Sequence, residues 1–86
     1  MTDKDLINLG FERHDVTAEQ SGNENDWYYY TYDFTRGIAL ITCDSDEAKR
    51  IGEWYVEFFE AEQQIRFTDV SKLKKLMDLI IEAKLK

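Results

Sequence analysis

In the stretch WYYYTYDF, residues 27–34, the side chains divide by alternation: Tyr28, Tyr30, Tyr32 and Phe34 on one side, Trp27, Tyr29, Thr31 and Asp33 on the other. Residues at i and i+2 share a face only in extended chain, so this predicts a strand whose first set faces a core. The loop TRG separates it from IALITCD, and Gly37 suits the left-handed bulge position of a hairpin. Pairing Phe34 with Ile38 then puts Tyr32 opposite Leu40. IALITCD is apolar on both sides, as expected of a central strand covered at least partly on its second face. EWYVEFFE alternates with Trp54, Val56 and Phe58 inward and Tyr55, Glu57 and Phe59 outward. Weaker alternation in FERHDVTAEQ gives a strand near 11–18, and IRF a short fifth strand after the turn AEQQ. SDEAKRIG reads as a connection, and SGNEND as a turn whose small polar residues bond their own backbone.

The period changes to 3.6 at the two ends. Thr2 is an N-cap, Asp3 and Asp5 complement a helix N-terminus, and Gly10 ends a short helix over 3–9. After Thr68 or Asp69 as cap, Val70, Leu73, Leu76, Met77, Ile80 and Ile81 form one stripe, with Lys72, Lys75, Asp78 and Glu82 opposite. Leu79 and Leu85 fall at or beyond the stripe's edges. The pattern predicts an α+β fold over residues 1–86 as a single domain. A short N-terminal helix precedes a four- to five-stranded antiparallel sheet, and a C-terminal amphipathic helix packs on one face. One helix cannot cover both faces. Trp27, Tyr29, Tyr55 and Phe59 therefore share the other face, to be shielded by the N-terminal helix, by a second subunit or by a partner.

Composition sharpens this picture. The 86 residues support one core, and the 43% hydrophobic content fills it without metal or disulfide staples. Cys43 is the only cysteine, which fits a reducing compartment, and the chain carries neither a secretion signal nor an apolar run long enough for a membrane span. A cytoplasmic location is expected. The net charge is −7, unevenly spread. Residues 71–86 hold five lysines against Asp78 and Glu82, leaving 16 acids against 6 bases elsewhere. Such a body repels phosphates, so direct nucleic-acid binding is not expected. Aromatic strands can stack bases, but the neighbours of these aromatics are Glu24, Asp26, Asp33, Glu53, Glu57 and Glu60.

No constellation for catalysis is present. His14 and Cys43 are single, so a metal site or a Cys–His nucleophile would need both in one place. Asp44 and Asp46 match the first and third positions of a calcium loop, but Ala48 replaces a ligand and Lys49 replaces the turn glycine. The four glycines are scattered singly, so there is no phosphate loop. A glycosidase-like acid pair needs a cleft that one small sheet seldom encloses. The expectation is a protein that is not an enzyme and uses no cofactor or metal.

LINLGF, the aromatic strand, WYVEFF, IRFTD and the closing Leu/Lys helix occur in an order that resembles small uncharacterised acidic proteins of phages and prophages. Anti-CRISPR inhibitors are similar in size and acidity. The resemblance implies a class of work: a phage-encoded inhibitor that binds a host defence or nucleic-acid-processing protein, some such inhibitors resembling DNA in charge. It carries no site residues across. From the residues themselves, the partner-binding set is Trp27, Tyr29, Tyr55 and Phe59 with Asp26, Asp33, Glu53 and Glu57 around them. The expected partner is a basic protein surface. Closure of a structural homodimer by the same face, or a small-ligand pocket between sheet and helix lined by tyrosine hydroxyls, are the alternatives.

Overall fold

The computed structural model describes residues 1–22, 25–60 and 65–84. Among the described residues, four helices, α1 (Asp3–Asn8), α2 (Ala18–Ser21), α3 (Ser45–Ile51) and α4 (Val70–Lys84), accompany five strands, β1 (Glu12–Val16), β2 (Trp27–Thr35), β3 (Ile38–Thr42), β4 (Val56–Phe58) and β5 (Arg66–Phe67). The strands pair antiparallel in chain order, β1-β2-β3-β4-β5. The α+β architecture expected from the pattern is therefore the one observed, with a five-stranded sheet.

The alternation of β2 sorts as expected. Tyr30 is fully buried and Phe34 3% exposed, and Tyr28 and Tyr32 pack against the same core. Leu6 of α1 and Leu73 and Met77 of α4 join that core together with Leu40, Trp54 and Val56. Both terminal helices thus cover one face of the sheet. α1 packs on the core face with Leu6 and leaves the second face unshielded.

An acid fixes α1 in place. Thr2 and Asp5 form a reciprocal capping box, and the Asp3 carboxylate accepts hydrogen bonds from the Tyr28 hydroxyl (2.9 Å), the Tyr30 hydroxyl (3.0 Å) and the Trp54 indole (2.8 Å). Burial alone would raise the Asp3 pKa, but these donors stabilise the carboxylate enough to bring it below the ordinary value. Burial and the same carboxylate push the Tyr30 phenol up to about 12. After α1 the chain turns at Gly10, where φ is +95° and the Tyr32 ring lies 3.4 Å from where a Cβ would stand.

Three local expectations are corrected. The run SDEAKRIG is a helix, not a connection: the Asp44 side chain accepts the Glu47 amide (2.8 Å) as N-cap, and Gly52 ends the helix at φ 84°. The expected strand near 11–18 stops at Val16, because Thr17 and Gln20 make a second capping box and start α2. Thr35, not Phe34, pairs with Ile38, since a bulge between Asp33 and Thr35 inserts Phe34 as an extra residue. Phe34 stays in the core and Ile38 is left 46% exposed, while Tyr32 lies opposite Leu40 as expected. The turn AEQQ, the middle of SGNEND and Leu85 lie outside the described residues.

Candidate functional site

The second face is built from the residues that alternate away from the core. On β1 these are Glu12, His14 and Val16, on β2 Trp27, Tyr29, Thr31 and Asp33, on β3 Ala39 and Ile41, and on β4 Glu57 beside Arg66 of β5. Among the described residues, the terminal helices contribute their buried side chains to the opposite face, so Glu12, Asp33 and Arg66 stand exposed and the others half-exposed.

Three depressions follow one another along this face. The largest, an open groove of about 690 Å³, lies between Trp27, Tyr29, Ile41 and Tyr55, with Asp44 and Glu47 at the α3 end. A second of about 170 Å³ shares Tyr29 and Ile41 with it and adds His14, Asp33, Ala39 and Phe59. A third of about 460 Å³ continues from Asp33, Ala39 and Phe59 to the Arg36–Gly37 turn. Because neighbours share walls, the three form one trough along β2 and β3.

The rings in the trough touch one another, one pair stacked and one tilted. Tyr29 lies between His14 (centroids 5.1 Å apart, stacked) and Trp27 (5.7 Å), and His14 Nε2 is 2.7 Å from the Thr31 hydroxyl. Across the sheet, the Arg66 guanidinium sits 4.2 Å from the centre of the Tyr55 ring and pairs with Glu57 at 3.2 Å. Glu47 is paired with Arg50, which holds its carboxyl below the usual range. The Trp27 indole N–H is shielded from water and has no acceptor among the described residues.

The eight residues expected to bind a partner do not all meet. Trp27, Tyr29 and Tyr55 share the large groove, and Asp33 and Phe59 share the two further depressions. Glu57 lies on the same face, opposite Ile41, with its charge engaged by Arg66. Two acids are placed elsewhere. Asp26 accepts the Ala18 amide at 2.7 Å and so serves the start of α2. Glu53 precedes β4, which begins only at Val56, and lines a separate hollow between α1 and α3 with Asp3 and Trp54. In their place α3 supplies Asp44 and Glu47. The sequence signal for them was present, an Asp with Glu three residues on and Gly five residues further, which is a helix start and stop.

The single histidine and cysteine do not combine. β2 separates β1, which carries His14, from the end of β3, so two strand spacings, roughly 10 Å, lie between the residues. Burial pushes the Cys43 thiol up, away from thiolate chemistry. Among the described residues, no group of three or more His, Cys, Asp or Glu is placed to hold a metal ion, and no helix is long and apolar enough to cross a membrane. The tyrosine hydroxyls facing the helices, Tyr28 and Tyr30, are committed to Asp3.

Fold and site together define an antiparallel meander with helices on one face and an open aromatic trough on the other. No protein-family model, no curated protein and no solved structure matches the chain.

The orphan indole N–H yields a prediction. A buried donor left without an acceptor costs about 1–3 kcal/mol. Trp27→Phe removes that cost while keeping most of the ring, so urea unfolding should give a stability unchanged within about 1 kcal/mol, or higher. A loss beyond about 2 kcal/mol would show that the packing of the indole ring, or a bond at its N–H, outweighs the cost of the orphan donor.

Proposed function

We propose that this is a non-catalytic interaction protein whose trough face docks onto a basic protein surface. In the fullest form of this reading it is a phage-encoded inhibitor acting in the host cytoplasm on a nucleic-acid-processing defence protein. The observation that carries the docking reading is the trough itself: half-exposed Trp27, Tyr29 and Tyr55 in one groove, with Asp44 and Glu47 at its end and Asp33 and Glu57 further along the face. Aromatic residues with a polar handle dominate binding energy at interfaces, and a charged rim speeds and selects the encounter. The acidic body supports a basic partner over a nucleic acid. An isologous dimer through the same face would bring two copies of one acidic-rimmed surface together.

The experiment is capture of partners from host lysate on the immobilised protein, followed by titration of the purified partner. The captured protein should be basic. Tyr29→Ala should weaken its binding by about 2 kcal/mol, roughly thirtyfold in Kd, whereas Leu79→Ala, on the exposed side of α4, should leave it unchanged. Equal affinity for wild type and Tyr29→Ala would remove this face from consideration.

A further inference from the structure

We propose that the α3 end of the trough, between Trp27, Tyr29, Asp44 and Glu47, is a receptor for an arginine side chain of the partner. This inference rests on the docking reading and deepens it.

The chain's own arginines show how the sheet takes up a guanidinium. Arg66 lies over Tyr55 with its carbon 4.2 Å from the ring centre and pairs with Glu57 at 3.2 Å. At the other edge, and on the other face, Arg13 lies over Tyr28 at 3.8 Å and pairs with Asp15 at 2.9 Å. Each time a tyrosine ring supplies the flat surface and a carboxylate on the same or a neighbouring strand fixes the charge. The guanidinium suits both at once, because it is planar, stacks on aromatic faces and presents a fork of donors.

The α3 end of the groove offers the same pair of elements; the chain's own cations at the groove are Arg66, over Tyr55, and Arg50, at Glu47, among the described residues. Trp27 and Tyr29 give the aromatic wall, and Asp44 and Glu47 give the carboxylates. Among the described residues, neither ring carries a cation. Asp44 uses Oδ1 to cap α3 and keeps its second oxygen. Glu47 is held through both of its oxygens by Arg50, so the carboxylate oxygen left to the groove is the second one of Asp44, and an arriving guanidinium shares Glu47 with Arg50. Arginine is favoured over lysine because a compact ammonium pairs with carboxylates but does not stack on a flat wall. A basic partner presenting arginine is also the complement in charge of the acidic rim.

The test uses nitrogen–proton correlation spectra of the full chain, titrated at low salt with an acetylated, amidated Gly-Arg-Gly peptide and with its neutral citrulline counterpart. The arginine peptide should move the Trp27 indole signal and the amides of Tyr29, Ile41 and Tyr55, while the Trp54 indole, bonded to Asp3, stays fixed. Binding of the citrulline peptide should be about tenfold weaker or worse. Asp44→Ser retains a capping oxygen and removes the charge, so it should weaken the arginine peptide while the spectrum stays folded. Glu47→Gln serves as the second variant.

An equal response to citrulline overturns the proposal, as does the absence of any response on the trough face. Shifts confined to Asp33 and Phe59 would keep the docking face and reject the arginine receptor. Concentration-dependent shifts without peptide would assign the groove to a second copy and overturn it as well. The docking reading stands or falls separately, on Tyr29→Ala against the captured partner.

Discussion

Asp3→Ala is expected to destabilise the protein by about 3 kcal/mol, measured by urea unfolding at neutral pH. The carboxylate accepts from Tyr28, Tyr30 and Trp54 at 2.8–3.0 Å, and hydrogen bonds to a charged acceptor are each worth about 1.5–3 kcal/mol. They do not add, because removing one acceptor lets Tyr28, which is only partly buried, turn to water. Asp3→Asn keeps one acceptor oxygen and should lose less. A loss under about 1 kcal/mol for the alanine variant would show that the network is not what holds α1.

The same network sets a pH profile. Asp3 has its pKa lowered by folding, so its contribution is complete above the unfolded value and fades as pH falls through the folded one. Wild type should therefore lose stability in acid below about pH 4, and Asp3→Asn should lose less of it there. Tyr30 behaves oppositely. Held neutral to about 12 in the fold, it contributes fully below the unfolded phenol pKa of about 10 and loses that contribution as pH climbs towards the folded value.

The second large effect belongs to α4. Leu73 is fully buried and Met77 3% exposed, and they are its buried residues. Leu73→Ala should cost about 2–5 kcal/mol, the range for truncating a core leucine. Leu79 is 66% exposed and its alanine variant should change stability by no more than about 0.5 kcal/mol. A chain of this length holds on the order of 4–13 kcal/mol, so the first substitution removes a large share of it. Equal losses at the two positions would mean that α4 docks by another face.

Strong periodicity made the long elements legible. Nine residues of β2 and fifteen of α4 give each face several votes, so the buried set could be read from spacing alone. Short elements give too few. α3 buries only Ser45 and Ala48, neither of them large, and no apolar stripe announces it. Its caps alone, Asp44 and Gly52, carry the signal, and reading SDEAKRIG as a connection passes over them. That one omission changed the site: Asp44 and Glu47 were absent from it, and Glu53 was placed on a strand that starts three residues later. Alternation sets Trp27, Tyr29, Tyr55 and Phe59 off the core face, although Tyr55, just before β4, also packs against the core. Asp26 was not separable from them, since its bond to Ala18 depends on a helix of four residues. Asp3 read only as a complement to a helix dipole, because its three donors lie 25 to 51 residues away.

Those separations also order the steps of folding. Neighbouring strands of the meander meet by closing short loops, but the Asp3–Trp54 bond spans 51 residues and cannot form before the strands between are assembled. The clasp on α1 therefore closes late, and Asp3→Ala is expected to raise the unfolding rate more than it slows folding, as read from the two arms of a urea chevron.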